Sequence, residues 1–199
     1  MSKFIQVLIL VLVSFTFVTP IQAGIDEKPG KLLTGNAVYD EKRYALLYPA
    51  SLFDADGTPS VFRLGMVWDE RNGDDIRFII TFPISEQVRL DDLKKSADSF
   101  TVKIDGVTEK LERVRNSVVR KQQSEVFSKS YEGEIRYAGS KKLLDKMLAA
   151  KNVEFFIQVM MKKYSAMLRV TDKKLLYLHD KEYTAINGMQ RFKNGIWGK

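Results

Sequence analysis

Paired runs of strand-forming residues, each pair split by a short turn-forming segment, recur along this 199-residue chain and commit it to an antiparallel sheet. In the best-marked pair, residues 61–68 and 76–82 flank Asp69-Glu70-Arg71-Asn72-Gly73-Asp74-Asp75, and Asn72-Gly73 supplies the positive-φ positions a hairpin turn takes. Residues 100–104 alternate with period two, Asp105-Gly106 turns them, and 107–114 run back. Residues 118–127 and 132–137 read as a third, more polar hairpin. The longest alternation, 153–160, sets Val153, Phe155, Ile157 and Val159 on one face. Lys162-Lys163 falls at its expected turn, and Tyr164, Ala166, Leu168 and Val170 return.

Other segments fill in around these hairpins. Residues 44–48 read as a short strand, followed over 51–59 by a loop dense in turn formers. Apolar residues on both faces at Phe78-Ile79-Ile80 predict a covered, central strand. Leu90, Leu93 and Ala97 stand three and four apart, the spacing of a short amphipathic helix over 90–97. Ser140 is placed to N-cap a second helix with Leu143, Leu144, Met147 and Leu148 inside and Lys141, Lys142, Lys146 and Lys151 outside. Asp180 is placed to cap a last helix carrying Tyr183, Ile186, Met189 and Phe192, with Asn194-Gly195 as its stop. The order helix then hairpin occurs twice, over 90–114 and 141–170, with a poor residue match between the copies. No Gly-rich crossover between parallel strands is visible. The expected class is α+β, a mainly antiparallel sheet built from hairpins with two or three amphipathic helices packed on it.

The N-terminus has the order of a cleavable export signal. Lys3 gives a short positive region, residues 4–18 are a nearly unbroken apolar run, and Pro20-Ile21-Gln22-Ala23 ends on a small residue. A run of about 15 residues falls short of the roughly 20 that a spanning helix needs. Residues 1–23 are therefore read as a signal peptide, 24–36 as a flexible polar segment, and 37–199 as one globular domain in the periplasm or outside the cell, with no transmembrane span in the mature chain.

Composition removes several chemistries. With no cysteine there is no thiol catalysis, iron–sulfur cluster or thiolate zinc site, and a single histidine removes any His-pair metal site. His179 has Asp180 beside it, but sequence neighbours do not converge as a triad requires, and no Gly-x-Ser-x-Gly elbow occurs. Asp54-Ala55-Asp56-Gly57 resembles the start of a calcium loop, yet Gly57 comes two places early and Arg63 stands where the bidentate Glu belongs, so an Asx-type turn is expected. Asp69, Glu70, Asp74 and Asp75 read as a solvated hairpin tip around Arg71. Asp91-Asp92 read as an exposed helix face, and Glu132 and Glu134 as ordinary polar-face residues beside Arg136. No phosphate-cradling glycine loop is present. No catalytic residue, metal site or cofactor is assigned.

Charge carries the remaining signal. Residues 141–199 hold 13 Lys and Arg against 5 Asp and Glu, whereas residues 24–140 hold 18 against 20. Basic residues with interleaved aromatics mark a candidate binding set of Lys162, Lys163, Lys173, Lys174, Arg191 and Lys193, with Tyr164, Tyr177, Tyr183 and Trp197 among them. The same aromatics also suit a core. The partners such a surface fits outside the cytoplasm are an anionic envelope polymer, an anionic lipid surface or an acidic protein, with nucleic acid ranked below them. The expectation is an exported, non-enzymatic binding or assembly domain. The alternatives are an envelope-polymer hydrolase using a carboxylate pair and a peripheral membrane-surface protein.

Overall fold

The computed structural model describes residues 29–96, 99–124, 129–159, 162–169 and 184–198, and strand dominates them. In chain order the strands are β1 (Leu32–Asn36), β2 (Arg43–Phe53), β3 (Pro59–Asp69), β4 (Asp75–Ile84), β5 (Ser99–Ile104), β6 (Val107–Leu111), β7 (Val119–Ser124), β8 (Lys129–Ser140), β9 (Val153–Val159) and β10 (Lys162–Met167). Three α-helices accompany them: α1 (Leu90–Ser96), α2 (Lys141–Ala149) and α3 (Ala185–Trp197). None of the described helices is long and apolar enough to cross a membrane.

Every strand pairing is antiparallel, in the order β6-β5-β9-β10-β2-β3-β4-β8-β7, with β1 added alongside β2. The sheet then closes on itself. Just past β6 the chain reaches β8, where Arg113 pairs with Tyr137 and two backbone bonds, Val114 N–H to Arg136 and Ala138 N–H to Glu112, complete the ring. This contact joins the segment after β6 to the upper part of β8, beyond the stretch that pairs with β7.

Local sequence explains the turns. Asp105 and Gly106 both take positive φ, 46° and 92°, as a two-residue hairpin loop of this hand requires. Asp105 has a second task, because its carboxylate accepts the Lys151 and Asn152 N–H groups and ties this turn to the start of β9. Asp69 accepts the Arg71 N–H to start the single 3-10 turn that joins β3 to β4, and Gly73 ends it at φ 60°. Ser140 caps α2 through the Leu143 N–H, as its position predicts.

Period-two alternation delivers one face of each strand to a common core. Phe62, Leu64 and Met66 of β3, Phe78 and Ile80 of β4, Ile135 and Tyr137 of β8, and Phe155 and Ile157 of β9 are all buried in one cluster. Phe100 stacks on Phe155 with centroids 5.7 Å apart and meets Tyr137 at 4.9 Å. Helix α3 lies against β2 and β3, and Gly188 sits so close to Leu47 that an added Cβ would stand 2.9 Å from its methyl. At the other end of α3, Trp197 meets Trp68 edge-on at 5.8 Å.

Several expectations need correction. The sheet is larger than the hairpin signals alone indicate, because Leu32–Asn36 forms β1 inside the segment read as flexible, and residues 43–53 form one eleven-residue strand that takes in the first three residues of the expected loop, leaving 54–58 as the turn. Leu32 and Leu33 have a ladder partner in Leu46 and Leu47, and that pairing overrides the polar character of their neighbours. Lys162 and Lys163 lie in β10, paired with Val159 and Gln158, and not at the turn. Helix α3 begins after Thr184 and runs through Asn194-Gly195 to Trp197. Gly195 stays helical there with Leu32 close against it, where a Cβ would stand 3.1 Å from the leucine methyl. The expected cap Asp180 and Tyr183 lie outside the described residues.

Candidate functional site

Of the basic residues singled out in the sequence, the four that are described lie in two places. Lys193 bonds Asp145 of α2 at 2.7 Å, and Arg191 donates to the Gly30 carbonyl at 2.8 Å, so both fasten α3 to its surroundings. Lys162 and Lys163 are exposed at the far end of β9 from α2, about 20 Å of strand away at the usual rise per residue. Lys173 and Lys174 lie outside the described residues, as does His179.

Lys163 instead belongs to a different surface, the outer face of β6, β5, β9 and β10. Phe156 stands at its middle, the one exposed phenylalanine among the described residues at 38% exposure. Thr101 and Ser165 lie directly opposite it on the two flanking strands, and Lys110 lies beyond Thr101, giving one row across four strands. The adjoining rows carry Ser99, Gln158 and Lys163 on one side and Thr108, Lys103, Glu154 and Met167 on the other. Lys103 and Glu154 lie 4.0 Å apart and balance each other. Lys110 and Lys163 are exposed and, among the described residues, make no ion pair, one near each edge of this face. The face is therefore cationic, with hydroxyl and amide groups around a single ring.

The opposite side of the barrel carries a second polar region, on the outer face of β3, β4, β8 and β7. Rows of charge run down it. Arg63 pairs with Glu132, and Glu134 accepts from Arg136 at 2.9 Å and from Lys121 at 2.5 Å. Glu134 shares the polar face with Arg136 as read from the sequence, and it is only 2% exposed there. Burial pushes its carboxyl up, but the hydrogen bonds and charges of Lys121 and Arg136 outweigh that and hold it below the usual carboxylate range. Above this ladder, towards the β3–β4 turn, opens a cleft of about 630 Å³ lined by Val67, Arg71, Arg77, Asp75, Arg136 and Ala138, among others.

Carboxylates elsewhere serve structure. Asp56 accepts the Thr58 N–H and hydroxyl as an Asx turn, which lowers its pKa. Asp69 is lowered by its hydrogen bond from Arg71, and Glu70 by the Arg43 N–H. Asp145 is lowered by Lys193 and Lys141. Each of these carboxyls is displaced towards the ionised form, the opposite of what a general acid needs. Asp91 and Asp92 are exposed, as expected. Among the described residues no group of three His, Asp or Glu side chains converges on a metal position.

Phe156 and Arg77 were legible as outward residues once the alternation of their strands was read, since each lies between two inward apolar neighbours. What the sequence withheld was which strands stand beside them, and the rows exist only through β5 meeting β9 and β4 meeting β8. Compared with protein-family models, curated proteins and solved structures, the chain matches none.

Proposed function

We propose that this is an exported, non-enzymatic α+β binding domain that holds an acidic polysaccharide of the cell envelope on the outer face of β6, β5, β9 and β10. The observation that carries it is the row Lys110-Thr101-Phe156-Ser165, with Lys163 on the next row. Strands stand about 4.8 Å apart, so the groups flanking Phe156 are spaced to bond the hydroxyls of a sugar whose apolar face rests on the ring. Two exposed lysines supply attraction for carboxylates along the polymer, and that attraction is screened over about 10 Å at 0.1 M salt. The downward-displaced carboxyls support a binding role over a hydrolase, which would need one raised.

The test is cosedimentation or affinity electrophoresis of the purified protein with polygalacturonate at low and moderate salt, with neutral dextran as control. The expected result is binding to the acidic polymer alone, weakened by salt and by about tenfold in Phe156→Ala. Unchanged binding by Phe156→Ala, or preference for anionic vesicles over the polymer, overturns it.

A further inference from the structure

We infer that the cleft above the charge ladder is a second, separate binding site, for a small organic oxyanion with a hydroxylated body, the chemistry shared by sugar acids and sugar phosphates. Its floor is set by register. Arg77 of β4 stands between Val67 of β3 and Ala138 of β8, two neighbours with short side chains, and Arg136 lies diagonally across one row away. Such diagonal neighbours are about 7–8 Å apart, a span that one oxyanion between two guanidinium groups can bridge. Gly139 borders the cleft with backbone alone, the side a Cβ would occupy being turned inward onto the buried Phe78 ring.

The three arginines differ in how they are held. Arg71 is fixed by a two-pronged contact to Asp69, with its Nε 2.8 Å from one carboxylate oxygen. Arg136 is fixed by Glu134 through Nε at 2.9 Å. Both still have N–H groups in excess of these bonds, because a guanidinium has five donors. Arg77 is exposed and, among the described residues, makes no ion pair or side-chain hydrogen bond, though its charge acts on Asp69. A cation held by no direct bond, within the field of Asp69 and flanked by two pre-positioned guanidinium groups, is an arrangement that a sheet surface held together only by ion pairs does not require. At the rim, Asn72 and Asp75 supply polar groups suited to hydroxyls. The volume, about 630 Å³, accommodates a molecule well beyond a bare anion and lies in the range of small-molecule sites.

The experiment is titration of the isotopically labelled protein with galacturonate, glucose 6-phosphate, inorganic phosphate and neutral glucose, followed by amide shifts. The first two are expected to move the Arg77, Ala138 and Gly139 amides in a saturable way, and their relative affinities distinguish a carboxylate from a phosphate source. Glucose is expected to move none of them. Arg77→Ala should weaken binding by about tenfold or more and Arg77→Lys by less, as loss of a charge-assisted bond implies. Phe156→Ala should leave it unchanged, which separates this site from the polymer face. Equal binding by Arg77→Ala, shifts confined to the Phe156 face, or equal shifts with glucose would each overturn the inference.

Discussion

The Lys121 ammonium lies 2.5 Å from the carboxylate of Glu134, a side chain almost completely removed from water on the outer face of β8. Removing one member of a buried ion pair typically costs about 3–5 kcal/mol, because the other is left without a partner. Here Lys121 and Arg136 are 40% and 39% exposed and can turn to solvent, so Glu134→Gln should cost less, about 2 kcal/mol near neutral pH. The pH dependence follows in sign. Because the folded-state pKa is depressed, the contribution is full above the unfolded value and disappears as pH falls through the folded one. Urea midpoints should therefore separate wild type from Glu134→Gln near pH 7 and converge as pH falls below the usual carboxylate range. A gap that persists in acid would show that the side chain acts by packing.

Gly139 faces a different constraint, since a Cβ there would stand 2.3 Å from the Phe78 ring. Phe78 is wholly buried and has no space to retreat into. Gly139→Ala should cost about 1–3 kcal/mol by overpacking, and Phe78→Leu in the same chain should recover part of it. Additive losses in the double variant would place the strain elsewhere.

Phe155 and Phe156 are chain neighbours with opposite fates. Phe155 is 1% exposed and stacked on Phe100, so Phe155→Ala should cost about 3–5 kcal/mol. Phe156→Ala, on the outer face, should stay within about 1 kcal/mol. Equal denaturant midpoints for the two variants would reverse the strand's orientation.

This pair also shows where sequence reading succeeds. Alternation assigns Phe155 inward and Phe156 outward without any structure, because successive side chains must point to opposite faces. The turns at Asp105-Gly106 and Gly73, and the cap at Ser140, are equally local and were legible for that reason. The rest depends on pairings distant in sequence. Nothing near Leu32 announces that Leu47 will pair with it, and nothing near Arg77 announces that Ala138 and Arg136 will stand beside it. Charge counting placed the functional surface in residues 141–199, but it could not see that Asp145 would take up Lys193. Nor could it see that Lys110, from the acidic half, would share a face with Lys163.

The export signal read in residues 1–23 predicts a mature chain beginning at Gly24. Intact-mass measurement of the protein recovered from outside the cytoplasm should show loss of Met1 to Ala23. A mass that retains them would indicate an anchor in place of a leader.

The basic residues chosen from the sequence should divide by experiment into two classes. Lys193 and Lys141 both contact Asp145, whose two oxygens they share, and this cluster ties α3 to α2. All three side chains are about one-third exposed, so Lys193→Ala should cost under about 1 kcal/mol. Lys193→Glu should cost more, since it sets two carboxylates against each other where a cation stood. Lys163 has no such contact among the described residues and stands on an open strand face. Lys163→Glu should leave the denaturant midpoint within about 0.5 kcal/mol of wild type while lowering affinity for an acidic polymer. Measuring both quantities on both variants separates the roles. If Lys193→Glu weakens polymer binding with no loss of stability, the C-terminal helix belongs to the binding surface and the face around Phe156 does not account for it alone.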